Sequence, residues 1–328
     1  MLVRMMSRMG ISRAARLPAF AFLVLSFFAA TWSVAASGNK PQPLPKPMPV
    51  VASFSVLGDM VAEIGGDYVK VTNIIGLGGD AHSFEPTPEQ VRSLSSARVL
   101  FINGLGFEAW LPRLVASSSF KGLTVVASDG VKPRKLDSDH ADHDGHSHAG
   151  DIDPHAWQSL TNGMIYARNI AAGLAKADPA HAADYTARAG RYIEEMKKLD
   201  AEVRQALGHI SPDKRKVVVP HDSLGYFGAD YGIQFIPIMG ISNKAEASAR
   251  DVAAIVDQVR KIGGAAVFLE SSANPKMAEQ IARETGAKVG GTLYVDTLSE
   301  SDQPAGSYLG MFKWNAGQLI YVLKPNGK

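Results

Sequence analysis

Three histidines and one aspartate stand where a parallel β-sheet would present its loops. His82 lies in GLGGDAHSFEP, after the apolar run VTNII; His155 lies in DIDPHAW; His221 directly follows KVVVP; Asp296 closes TLYVD. In parallel α/β sheets, ligands bind beyond the carboxyl ends of the strands. Three imidazoles and a carboxylate combine borderline nitrogen donors with one hard oxygen. That set suits Zn(II), with Mn(II) or Fe(II) as alternatives. Taken singly, each histidine reads first as an ordinary hydrogen-bonding residue. The separations along the chain are long and no HExxH-type motif is present, so spacing alone leaves the metal reading open.

A second group of histidines is of another kind. DSDHADHDGHSHAGD, Asp137 to Asp151, carries His140, His143, His146 and His148 among Asp139, Asp142 and Asp144. It has no Leu, Ile, Val or aromatic residue, cannot bury itself, and is expected to be disordered when empty. It reads either as a solvated acidic linker or as a weak metal collector. Ordering such a loop costs about 1–2 kcal/mol per residue fixed, so its affinity should fall below that of a preformed cleft.

Other candidates carry less. Gly76, Gly78 and Gly79 echo a phosphate loop but lack its Lys and Ser, which argues against nucleotide binding. His221-Asp222-Ser223 has no GxSxG elbow, and neighbours on a strand end point apart. Glu270 and Ser271 follow VFL at a strand end and are expected to line the cleft behind the donors. Phe84 and Trp157 flank His82 and His155 and are expected to shield the site from water.

The elements that must position these residues follow from hydrophobic patterning. VVASFS, YVKVTNII, VLFIN and LTVVA read as strands in the first half, separated by short helices. TPEQVRSLSSA has Thr87 as N-cap, Pro88 at the first helical position and Gln90 at the capping-box position. From Leu160 to His209 there is little β signal, and Asp178 to Ile210 reads as one long helix, a rigid connector. After it KVVVP, FIPIM, AAVFL and TLYVD alternate with the amphipathic helices ARDVAAIVDQVRKIG and PKMAEQIARETG. The expected fold is α/β: two lobes, each with a parallel sheet flanked by helices, joined by one long rigid helix. The expected boundaries are 50–177 for the first lobe, 178–210 for the helix and 211–328 for the second lobe.

The 328 residues suit about two domains. Arg4, Arg8, Arg13 and Arg16 precede the apolar run LPAFAFLVLSFFAA, which is too short to span a bilayer as a helix, and Val34-Ala35-Ala36 offers a cleavage site. Residues 1–36 therefore read as a secretory signal peptide. Its removal takes Lys+Arg from 34 to 30 against 32 Asp+Glu, so the mature chain stands near −2 and nothing points to nucleic acid. Residues 37–49, with Pro at every second position from Pro41, read as an extended tether. There is no cysteine. Thiolate metal sites and an N-terminal lipid on Cys are excluded, which favours a periplasmic location without a lipid anchor.

The chain resembles the metal-binding solute receptors of ABC importers for zinc and manganese (the cluster A-I family). The resemblance rests on ASFSVLGDMVAEIGGDYVKV, GGDAHSFEPTPEQV, FINGLGFEAWL, DIDPHAWQS, VVPHDSLGYFGADYGI, ASARDVAAIVDQVRK, VFLESSANPK, ETGAKVGGTLYVDTLS and YLGMFKWN, in order from Val51 to Asn315. It implies two α/β lobes joined by a long helix, with metal between them held at His82, His155, His221 and Asp296. His at position 221, and a His-rich loop, resemble the zinc group more than the manganese group. The implied protein is no enzyme. It is a Zn(II) receptor, expected to be a monomer, that delivers its cargo to an ABC membrane permease, with a periplasmic metallochaperone as a further candidate partner. Because imidazole must be deprotonated to bind, affinity should fall below about pH 6. A manganese or iron receptor remains an alternative. So does a secreted zinc metallohydrolase, for which Glu85 or Asp222 would have to serve as general base.

Overall fold

The computed structural model describes residues 46–82, 84–136, 152–240, 249–263 and 266–324. The expected signal peptide, the tether up to residue 45 and the His-rich loop lie outside the described residues.

The first half opens with β1 (Met48–Phe54), α1 (Ser55–Gly65), β2 (Val69–Ile75) and α2 (Pro88–Ser96). It continues with β3 (Val99–Ile102), α3 (Leu111–Ser118) and β4 (Leu123–Val126). The strands form one parallel sheet in the order β2-β1-β3-β4. Two helices follow, α4 (Leu160–Ala177) and α5 (Ala182–Gly208). The second half runs β5 (Lys216–His221), α6 (Gly225–Tyr231), β6 (Gln234–Met239) and α7 (Ala249–Ile262). It ends with β7 (Ala266–Glu270), α8 (Pro275–Thr285), β8 (Lys288–Leu293) and α9 (Tyr308–Leu323). Its parallel sheet repeats the first one's order as β6-β5-β7-β8. The expected class, two parallel sheets with flanking helices and a long helix between them, is the one observed.

Local chemistry explains most boundaries. Val50, Val51, Ala52 and Phe54 are all buried, as in a strand covered on both faces. β1 also takes in Met48 and Pro49, two residues assigned to the tether by the sequence pattern. Pro49 lacks an N–H, but it sits at the strand's start, where its carbonyl accepts from the Arg98 amide at 2.9 Å. At α2 the Gln90 side-chain oxygen accepts from the Thr87 amide at 2.7 Å, the capping box read from sequence. β8 starts at Lys288, earlier than TLYVD suggests, and ends at Leu293, so Asp296 lies in the loop beyond it. The pattern misled because Gly290 and Gly291 weaken a strand signal. Gly290 is required there: a Cβ on it would come within 2.5 Å of the Phe268 ring.

The long helix also differs in detail. Pro179–His181 forms a separate 3-10 turn, and α5 then runs 27 residues, about 40 Å at 1.5 Å each. The Asp178 carboxylate does not cap α5. It accepts from the Tyr185 hydroxyl at 2.8 Å and pairs with His181 Nδ1 at 2.6 Å. α5 is a packed element, burying Tyr185, Ala189, Tyr192, Ile193 and Met196.

The hydrophobic core is distributed unevenly. One large cluster contains Val50, Phe54 and Phe101 of the first sheet together with Val217, Phe268 and Leu293 of the second. A smaller separate cluster, with Val218, Ile236, Val252, Val256 and Ile281, lies under α7 and α8. Tyr308, at the start of α9, is fully buried and ties the halves together. Its hydroxyl donates to the Trp157 carbonyl at 2.7 Å and its amide donates to Asp59 at 2.8 Å.

Burial pushes the Asp59 carboxyl up to about 6, against the Tyr308 hydrogen bond that lowers it; nearby Glu63 raises it further. A carboxyl whose folded-state pKa is raised binds a proton that the unfolded chain has already lost. Stability therefore falls as pH rises through the window from about 4 to 6. Asp59→Asn keeps an oxygen for the Tyr308 amide and removes the charge. It should stabilise the chain by about 1–3 kcal/mol near pH 7.5 and by almost nothing near pH 4. Thermal unfolding of both proteins across that range checks this; an equal gap at both ends would contradict it.

Candidate metal centre

The four residues singled out from sequence converge. His82, His155, His221 and Asp296 each offer a donor atom, and these atoms lie within 4.8 Å of one another. His82 Nε2 is 3.1 Å from His155 Nε2 and 3.5 Å from Asp296 Oδ2. His221 Nε2 lies 3.2 Å from Asp296 Oδ2, and His155 Nε2 lies 3.8 Å from Asp296 Oδ1. Two donors on adjacent corners of a zinc tetrahedron would stand about 3.3 Å apart, given metal–donor bonds near 2.0–2.1 Å. The observed spacings bracket that value. His155 and His221 are fully buried, Asp296 is 3 % exposed, and the His82 side chain is 9 % exposed.

Each donor is placed by its element. His221 is the last residue of β5 and Glu270 the last of β7, the two adjacent central strands of the second sheet. The strand order reverses between them, which is where such sheets bind ligands. In the first sheet Asn103 follows β3, and its side-chain Nδ2 donates to the Pro154 carbonyl at 2.9 Å, fixing the loop that carries His155. Asp153 Oδ1 accepts from the His155 amide at 3.0 Å and from Nδ1 of the same ring at 2.8 Å. With Nδ1 engaged, Nε2 faces the cluster. The His82 loop is held by the Trp110 indole N–H on the Ala81 carbonyl at 2.9 Å, and by Asp80 Oδ1 accepting from the His82 amide at 2.9 Å.

Asp296 is presented by residues from the other half of the chain. The Val295 carbonyl accepts from the Trp157 indole at 2.9 Å and from the Gln158 side-chain Nε2 at 2.8 Å. On its other side Thr297 Oγ1 accepts from the Gly78 amide at 2.9 Å, and the Leu298 amide donates to Ser55 at 3.2 Å.

The electrostatics follow from burial and charge. Burial pulls the His82 imidazole below its ordinary value despite Asp296. Burial acts the same way on His221, but the charges of Glu270 and Asp296 outweigh it and hold that ring well above its ordinary value. Burial would raise Asp296, yet the charge of His221, with His82 and His155 beside it, holds its carboxyl well below the usual range. His221 Nε2 and Asp296 Oδ1 are buried without a hydrogen-bond partner among the described residues. Leaving such atoms unpaired is costly, and a bound cation would satisfy both.

The aromatic wall differs from expectation. Trp157 does stand against His155, with ring centroids 5.3 Å apart. Phe84 packs on Trp110, while the ring against His82 is Phe107, 4.9 Å away. Phe107, Asn103 and Glu108 escaped the sequence reading. Their signal was the NGLG turn, in which Gly104 and Gly106 have positive φ and the buried Glu108 accepts from Ser53 and the Asn103 and Gly104 amides. Glu270 lies behind His221, as the strand-end position suggested. The four loop histidines, His140, His143, His146 and His148, lie outside the described residues. Leu136 and Ile152 flank that loop, and Lys135 and Ile152 form an antiparallel bridge at its base.

Comparison with known proteins places this geometry. A family model described as "Zinc-uptake complex component A periplasmic" matches residues 50–321. The chain is 32 % identical over 290 residues to the iron-binding protein YfeA of Yersinia pestis, covering 88 % of this chain and 91 % of that one. It is 31 % identical over 276 residues to the manganese ABC transporter substrate-binding lipoprotein PsaA of Streptococcus pneumoniae, covering 82 % and 87 %. The solved periplasmic zinc binding protein TroA from Treponema pallidum superposes with a TM-score of 0.76 at 26 % identity, covering 86 % of this chain and all of that one. Among the described residues no helix is long and apolar enough to cross a membrane. The hydrolase alternative falls with the family match, since these proteins carry substrate and do not transform it. From residue 50 to residue 321 the chain belongs to the zinc-uptake component A family, the metal-binding substrate receptors of ABC transporters that work in the periplasm or outside the cell.

Proposed function

We propose that the chain is a zinc receptor that holds one Zn(II) through His82, His155, His221 and Asp296. One observation carries the reading: four donor atoms, three of them on buried residues, converge within 4.8 Å, two of them with no hydrogen-bond partner among the described residues. The choice of zinc rests on the donor set, three imidazole nitrogens to one carboxylate, which favours Zn(II) over harder Mn(II). The family description and the name of TroA speak of zinc, whereas YfeA is named for iron and PsaA for manganese. A second reading, manganese or iron, has a specific observation in its favour. Both oxygens of Asp296 face imidazoles, at 3.5 Å and 3.8 Å, so the carboxylate can chelate and raise the coordination number. Competition titration of the purified protein with Zn(II), Mn(II) and Fe(II) decides between them; tighter binding of Mn(II) or Fe(II) than Zn(II) would overturn the zinc assignment.

The His-rich loop serves as an auxiliary collector. It departs at residue 136 and returns at residue 152, three residues before His155. Replacing His140, His143, His146 and His148 together by Ser should leave one tight zinc site and remove only weaker ones. Isothermal titration reads this directly; loss of the tight site would assign the loop a different role. The absence of cysteine leaves no thiol for a lipid anchor, so the receptor is proposed to be free in the periplasm, unlike relatives named as lipoproteins.

A further inference from the structure

Tyr226 is a buried residue of α6, in the second half of the chain, and its hydroxyl makes two hydrogen bonds to the first half. It accepts from the Arg134 amide at 2.9 Å and donates to the Asp153 carbonyl at 3.2 Å. A phenol has one hydrogen to give and lone pairs to receive another, so a single hydroxyl serves both bonds.

The two segments it joins already touch. The Arg134 carbonyl accepts from the Asp153 amide at 2.9 Å, and the Arg134 guanidinium pairs with Asp153 Oδ2 at 3.2 Å. Asp153 in turn fixes His155, whose amide and Nδ1 both meet its Oδ1. Asp153 thus grips the donor on one side and is gripped by Arg134 and Tyr226 on the other. α6 comes so near that its first residue has no room for a side chain. A Cβ on Gly225 would stand 2.3 Å from the Arg134 guanidinium and 2.7 Å from Asp153 Oδ2.

The same helix is bound to a second donor. His221 ends β5, and only Asp222, Ser223 and Leu224 separate it from α6. That turn is tight, with the Ser223 amide donating back to the His221 carbonyl at 3.0 Å. The rings of His155 and His221 lie 5.5 Å apart. A continuous path therefore runs from one donor to the other around the metal position: His221, the short turn, Tyr226, Asp153 and His155.

Resting on the donor set proposed above, we infer that Tyr226 is a positioning residue for metal binding: its hydroxyl braces the Asp153 segment against α6 and so fixes the spacing between His155 and His221 across the two halves.

The test measures Zn(II) affinity by competition titration for Tyr226→Phe, alone and combined with His155→Ala or His82→Ala. Phe keeps the buried ring and removes only the hydroxyl. The single variant should bind Zn(II) about tenfold more weakly, the lower end of the range for partners behind a ligand. The same loss should persist beside His82→Ala and shrink to less than about twofold beside His155→Ala, because a brace on an absent donor has nothing to place. Visible absorption of the Co(II)-loaded protein should shift in Tyr226→Phe, since the angle between two donors changes. A role confined to packing would lower the melting temperature of the metal-free protein and move neither the Co(II) spectrum nor the dependence on His155.

Gly225→Ala is the second variant, and it carries the comparison if the Phe protein does not fold. It keeps the hydroxyl but presses a methyl against Arg134 and Asp153, and should weaken Zn(II) binding with the same dependence on His155. Affinity within twofold of the parent in both variants overturns the inference, as does an undiminished loss beside His155→Ala. His155→Ala alone separates this inference from the reading beneath it. If that protein keeps tight zinc binding, the donor set is wrong; if it loses zinc and Tyr226→Phe still adds its full loss, the donor set stands and only the role of Tyr226 fails.

Discussion

With the proposed donor set, His155→Ala and His221→Ala should each lower Zn(II) affinity by about 10²–10³-fold. The magnitude follows from structural four-donor sites, in which about 10–16 kcal/mol is shared by four ligands, or about 2.5–4 kcal/mol each. Both rings are fully buried, so neither vacancy is readily filled by a neighbouring side chain. His82→Ala should cost less. Its side chain is 9 % exposed, and a water can occupy the position its nitrogen leaves. The order of loss, His155 and His221 above His82, is measured by competition titration against a chromophoric chelator. If His155→Ala and His221→Ala both keep the parent's affinity, the site assignment fails.

The second large effect is on stability. Trp157→Ala should destabilise the metal-free chain by about 3–5 kcal/mol, the usual range for removing a large aromatic from a core. Trp157 is fully buried and packs its ring against Phe54 and Phe107, with centroids 4.8 Å away in each case. Its indole N–H also supports the Val295 carbonyl, next to Asp296. Trp157→Phe separates the two roles. It keeps much of the packing and loses the hydrogen bond, leaving Gln158 alone on that carbonyl. That variant should lose roughly 1–2 kcal/mol of stability and bind zinc more weakly than the parent. Denaturant unfolding and metal titration check the two effects, and a Trp157→Phe protein with unchanged affinity would show that Asp296 needs no such support.

Much of this was legible in the sequence because each signal was local. Apolar runs ending in a polar residue located the strand ends, and strand ends are where a parallel sheet gathers its ligands. Thr87 and Gln90 announced a helix start because a capping box is made within one turn. What stayed hidden was set by contacts distant in sequence. Phe107 faces His82 because a turn with two positive-φ glycines swings it inward, and nothing at Phe84 revealed that it would pack on Trp110 instead. β8 was misplaced because its glycines suppress strand propensity, while the reason for Gly290, the ring of Phe268, lies on another strand. The helix α9 and the anchoring of Tyr308 on Asp59 and Trp157 join residues that no window along the chain contains.

The large apolar cluster that draws on both sheets makes them interdependent in folding. Each half, expressed as a fragment, would expose the faces of Phe54 or of Phe268 and Leu293 that the intact chain covers. It would also leave the Val295 carbonyl without its indole, or the indole without its carbonyl. The two sheets repeat one topology, yet the shared core predicts that they unfold as one cooperative body. Breathing short of global unfolding is expected instead in the separately packed layer of α7 and α8. Amide exchange should be slowest where the halves meet and fastest on that outer layer. Fragments of the receptor would be expected to reconstitute together and not to fold alone.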